Sequence, residues 1–84
     1  MRVKITVEVL PKEGLADPQG AAVEAALGRL GVVAAAVHVG RLVVFELDGA
    51  ELAGIEGQAR EAAARVLANP VIEDVVAVRV EPLA

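Results

Sequence analysis

The chain has 84 residues, room for one domain spanning 1–84, and its 8 Lys and Arg against 12 Asp and Glu leave a formal charge of −4. That sign disfavours a nucleic-acid backbone and an anionic membrane surface, both of which are held by clustered cations. With no cysteine, one histidine and one aromatic residue, Phe45, the chain offers no thiolate metal site, no Cys nucleophile and no platform for stacking bases.

Residues 2–10 alternate: Val3, Ile5, Val7 and Val9 share one face, and Arg2, Lys4, Thr6 and Glu8 the other. Period two with β-branched residues predicts a half-buried strand, which Pro11 ends because it lacks a ladder N–H. After a loop around Gly14, Asp17-Pro18 reads as a helix cap followed by the first helical residue. Val23, Ala26, Leu27 and Leu30 recur at helical spacing and Gly31 follows them, which predicts a helix over about 18–30. Ala34–Val39 and Leu42–Leu47 read as two strands joined as a hairpin at Gly40-Arg41.

A second helix is predicted from Asp48 or Gly49 to about Ala68, with Leu52, Ile55, Ala59, Ala62, Ala63 and Val66 as its apolar stripe. Asn69-Pro70 stops it, since the residue before proline is driven out of the α region. A last strand is predicted over about Val71–Glu81. The order βαββαβ predicts an α+β, ferredoxin-like domain: an antiparallel sheet with two helices on one face. The 56% apolar content, rich in small Ala and Val, makes a thin core. The surplus surface predicts a homodimer or a tetramer.

Chemistry is sparse. There is no serine, the only threonine is Thr6 in a strand, and no phosphate-binding loop or nucleophile elbow occurs. His38 has no neighbour in sequence that would orient it as a general base. Glu73 and Asp74 are adjacent in a strand, so they point to opposite faces and do not share a cation. The chain is therefore not expected to be a catalyst, to bind a metal or to hold a cofactor by itself. No apolar run approaches the length of a membrane span, and the N-terminus has no signal-peptide pattern. A cytoplasmic location is expected.

Polar residues gather at two element ends, in Asp17-Pro18-Gln19-Gly20 and in Leu67-Ala68-Asn69-Pro70-Val71-Ile72-Glu73-Asp74. Capping accounts for Asp17, Pro18 and Pro70 but leaves the choice of Gln19 and Asn69 unexplained. These two stretches, with Lys12-x-Gly14-Leu15 before the first and Val37-His38-Val39-Gly40-Arg41 between them, resemble the PurS family, the small subunit of phosphoribosylformylglycinamidine synthase. The resemblance covers nearly the whole chain. Where the family usually has Arg, Lys and often Tyr, this sequence has His38, Arg41 and Val75.

The resemblance implies a non-catalytic subunit in purine biosynthesis, sitting between a glutaminase subunit and a large synthetase and assisting ammonia transfer. ATP and Mg would belong to the synthetase. Gln19, His38, Arg41, Asn69 and Glu73 are then the expected subunit contacts, with Asp17, Pro18, Gly20 and Pro70 as the structural frame. The same element order also fits an ACT-like domain binding small amino acids, or a purely structural dimeric module.

Overall fold

Strand β1, Arg2–Pro11, is the centre of the sheet in the computed structural model, which describes residues 1–83. It pairs antiparallel with β2 (Arg41–Asp48) on one side and with β3 (Glu73–Pro82) on the other. The register puts Val3, Ile5 and Val7 opposite Leu47, Phe45 and Val43, and sets Ile5 and Val7 opposite Val80 and Val78. Apolar residues therefore align across all three strands on one face. A bulge at Glu8/Val9 keeps Val9 opposite Val75 on that face.

Helix α2, Leu52–Ala62, covers this face. Ile55, Ala59 and Ala63 are buried with Val3, Ile5, Val7 and Val9 to form the core. Alanines at the contact let the helix approach the sheet closely, which is how a core of small residues reaches ordinary packing density. At Ala63–Leu67 the helix widens into a π-turn, closed by the Ala68 N–H donating to the Ala63 carbonyl at 3.1 Å. The extra residue makes Ala68, five positions after Ala63, the next buried one. The predicted stripe continued instead to Val66, which is 78% exposed. A constant 3.6-residue period does not anticipate the π-turn.

Helix α1, Pro18–Arg29, ends as its glycine signal predicts. Gly31 has φ +83°, the Gly31 N–H donates to the Gly28 carbonyl and the Val32 N–H to the Leu27 carbonyl, the pairing of a Schellman motif. Its predicted apolar stripe is not buried as expected. Ala26 and Leu27 are half-covered, while Val23 and Leu30 remain exposed.

Two further expectations are corrected. The described residues form three strands, not four, because Ala34–Val39 is not a strand. Two of its amides are taken by side chains: Val37 N–H donates to Glu24 Oε1 and Val39 N–H to Asp17 Oδ2. Ala36 at φ 54° also interrupts an extended course. Gly40 consequently does not turn a hairpin. It brings the chain against β1, where a Cβ would overlap the Val9 carbonyl oxygen and lie 2.6 Å from Leu10 Cδ2. The last strand starts at Glu73 rather than Val71, since Asn69–Ile72 forms a turn. The element set is that of a ferredoxin-like α+β domain, built on three antiparallel strands and two helices.

Candidate interaction site

The polar stretches singled out in the sequence converge on one end of the sheet, where β1 finishes and β2 and β3 begin. There Val9 pairs with Arg41, and Pro11 with Glu73. Two clusters form at this end.

The first is built on Asp17. Its Oδ1 accepts from the Gly20 N–H at 2.9 Å, capping α1. Its Oδ2 accepts from the Val39 N–H at 3.0 Å and lies 3.3 Å from His38 Nδ1. One carboxylate thus ties the start of α1 to a segment 22 residues later. Gly20 is buried beneath this clamp, and a Cβ on it would overlap the Val37 carbonyl oxygen. His38 and Asp17 form a pair, yet no Ser or Cys exists in the chain for that pair to activate.

The Gly20 N–H and then the Val39 N–H hold the Asp17 carboxyl below the usual carboxylate range, with a smaller contribution from His38. A folded-state value below the unfolded one means that the unfolded chain binds the proton more readily. The stabilisation is present above the unfolded pKa of about 4 and is lost as pH falls through the lower folded value. Asp17→Ala is expected to lower the melting temperature at pH 7 by roughly 5 °C. That difference from wild type should shrink as the buffer is taken below about pH 4, measured by circular dichroism melts across pH.

The second cluster joins Arg41 to Asn69 and Glu73, which lie far from it in sequence and four residues from each other. Arg41 Nη2 donates to the Leu67 carbonyl at 2.6 Å and to Glu73 Oε1 at 2.8 Å. The same Glu73 oxygen accepts from the Asn69 N–H at 2.7 Å, and Asn69 Oδ1 accepts from the Val71 N–H at 3.1 Å. The chain leaving the π-turn has carbonyls and amides without helical partners, and these side chains satisfy them. Asn69 forms an Asx turn, which glycine cannot do, so the choice of asparagine has a local reason. Glu73 at a strand start likewise has one. Pro70 sits in the turn itself.

Beside this cluster lies an open groove of about 530 Å³ lined by Arg41, Arg65, Asn69, Pro70, Ile72 and Glu73 among others. Gln19 stands apart. It is exposed at the second position of α1, and its side chain makes no hydrogen bond to another described residue. Sequence reasoning missed Glu24, which holds Val37, and Arg65 on the groove; both looked like ordinary solvated helix charges. Among the described residues no group of three or more His, Asp and Glu is placed to hold a metal ion. No helix there is long and apolar enough to cross a membrane.

The family model for PurS, phosphoribosylformylglycinamidine (FGAM) synthase, matches residues 4–81. The phosphoribosylformylglycinamidine synthase subunit PurS of Methanothermobacter thermautotrophicus is 30% identical over 74 residues, covering 88% of either chain. Thermus thermophilus PurS superposes with a TM-score of 0.83 at 33% identity, over 98% of this chain and 100% of that one. A chain of the PurLQS structure from Thermotoga maritima shares the fold, with a TM-score of 0.85 at 22% identity, covering 95% of this chain and 98% of its own. A match that takes in β1, both polar stretches and β3 leaves no element outside it. The chain belongs to the PurS family of phosphoribosylformylglycinamidine synthase.

Proposed function

We propose that this chain is the non-catalytic PurS subunit of an FGAM synthase complex in purine biosynthesis, joining a glutaminase subunit to an ATP-dependent synthetase and assisting ammonia transfer between them. It would act in the cytoplasm as a homodimer or tetramer, with ATP and Mg bound by the synthetase. Membership of the family carries this reading. The site agrees with it in kind, for its polar groups are spent on holding a shape rather than on aligning a nucleophile with a base.

In this reading the sheet end bearing the two clusters is the surface presented to the larger subunits, and Gln19 is its free hydrogen-bonding group. The experiment is reconstitution with the glutaminase and synthetase subunits. Glutamine-dependent FGAM formation should require this chain, whereas ammonia-dependent formation by the synthetase alone should not. Gln19→Ala is expected to lower the glutamine-dependent rate while leaving the melting temperature within a few degrees. Asn69→Ala is the less clean probe, because it also removes the Asx turn. A glutamine-dependent rate that is the same with and without this chain would show the reading to be wrong.

A further inference from the structure

The groove beside the second cluster carries a charge opposite to that of the chain. The whole sequence has a formal charge of −4, yet this groove of about 530 Å³ is lined by two guanidinium groups, Arg41 and Arg65, and one carboxylate, Glu73. That carboxylate is already occupied. Its Oε1 accepts from both Arg41 and the Asn69 N–H, and its side chain is only 18% exposed. The cations are less committed. Arg41 makes both of its bonds through Nη2, which leaves the Nε and Nη1 donors without a partner among the described residues. Arg65 is 77% exposed and meets Glu61, one turn earlier, at 3.4 Å, a solvated pair that contributes little.

The walls beside these charges are apolar and rigid. Val66 and Ile72 line the groove, 78% and 48% exposed. The π-turn on one side is tied by Arg41 to the Leu67 carbonyl, and the Asx turn of Asn69 fixes the other side. Little ordering remains to be done when a partner binds.

The backbone argues against a phosphate as the occupant, since phosphates are cradled by main-chain N–H groups. Here each N–H from residue 68 to residue 73 is spent. Ala68 donates to the Ala63 carbonyl, Asn69 to Glu73, Val71 to Asn69 Oδ1, and Ile72 and Glu73 to the Asn69 carbonyl, while Pro70 has none. Nucleic acid would need more than two cations and a stacking residue, and Phe45, the one aromatic, packs on the core. A carboxylate needs only the guanidinium forks. An aliphatic side chain next to it would cover Val66 and Ile72.

We infer that the groove receives a segment of a partner protein that sets a carboxylate against Arg41 and Arg65 and an aliphatic side chain against Val66 and Ile72. This rests on the proposed function, which makes the glutaminase and synthetase subunits the partners, and it names the chemistry by which one of them is held.

The test measures binding of the full chain to each purified subunit by biolayer interferometry, from about 50 to about 300 mM NaCl, a range over which exposed charge pairs are progressively screened. Wild type should bind one subunit more weakly as salt rises. Arg65→Glu sets like charges together and should raise that dissociation constant at least ~30-fold with the melting temperature within a few degrees. Arg60→Glu is the matched control: it makes the same charge change in α2 and breaks the same kind of pair, with Glu56, away from the groove. Its effect should stay below about 3-fold. Val66→Ser should raise the constant by about 10-fold. Equal effects of Arg65→Glu and Arg60→Glu, or wild-type binding indifferent to salt, would overturn the inference. So would a change in the chain's own oligomeric state with Arg65→Glu, which would make a second copy the occupant. Those failures leave the omission assay above untouched, whereas a wild-type chain that binds neither subunit would sink both readings.

Discussion

Gly40→Ala is expected to lower the melting temperature by roughly 10–20 °C, the consequence of about 2–3 kcal/mol of overpacking in a domain of this size. The added methyl would overlap the Val9 carbonyl oxygen and press on Leu10 Cδ2. Val9 is fully buried in the central strand and paired on both sides, so the obstacle is backbone that has nowhere to move. Relief would require β2 to separate from β1 at Arg41, which also strains the Arg41 bonds to Leu67 and Glu73. Gly28→Ala is the control, since nothing lies within 4 Å of a Cβ there and the position is helical. Its expected effect is a small gain, because alanine favours a helix over glycine. Differential scanning calorimetry of the two variants checks both signs, and a Gly40→Ala midpoint within 2 °C of wild type would contradict the packing argument.

Ile55→Ala should be as damaging, at about 2–5 kcal/mol, the range for truncating a buried aliphatic side chain and leaving a cavity. Ile55 is 1% exposed and is the largest side chain that α2 contributes to the core. Its helical neighbours in that core, Ala59 and Ala63, are too small to close the space it would leave. Ile55→Val should cost only about 0.5–1.5 kcal/mol. Urea titration gives both numbers, and an equal loss from the two substitutions would show that something other than cavity volume is at work.

Much of the fold is local chemistry and is readable without coordinates. Strand β1 is written in strict alternation, and Val3, Ile5, Val7 and Val9 are buried as it predicts, with Thr6 on the other face buried as well. Asp17, Pro18 and Gly31 mark the limits of α1 because capping, ring geometry and left-handed backbone are properties of single residues. The placement of Arg41, Asn69 and Glu73 was legible only as a coincidence of polar residues near turns. That they share one hydrogen-bond cluster depends on β2 and β3 flanking β1, which brings residues 32 apart to 2.8 Å.

By itself the sequence determined the alternating strand, the boundaries of α1 and the family, since each rests on periodicity, on single-residue geometry or on a contiguous motif. Only the tertiary structure decided that Ala34–Val39 is not a strand and that the apolar stripe of α1 stays uncovered. Val37 and Val39 have the composition of a strand, but a strand also needs a neighbouring backbone to take its amides. In this chain Glu24 and Asp17 take them first. Periodicity reports which residues can be buried together; which surface comes to cover them is settled by where the Asp17 clamp onto Val39 allows α1 to point.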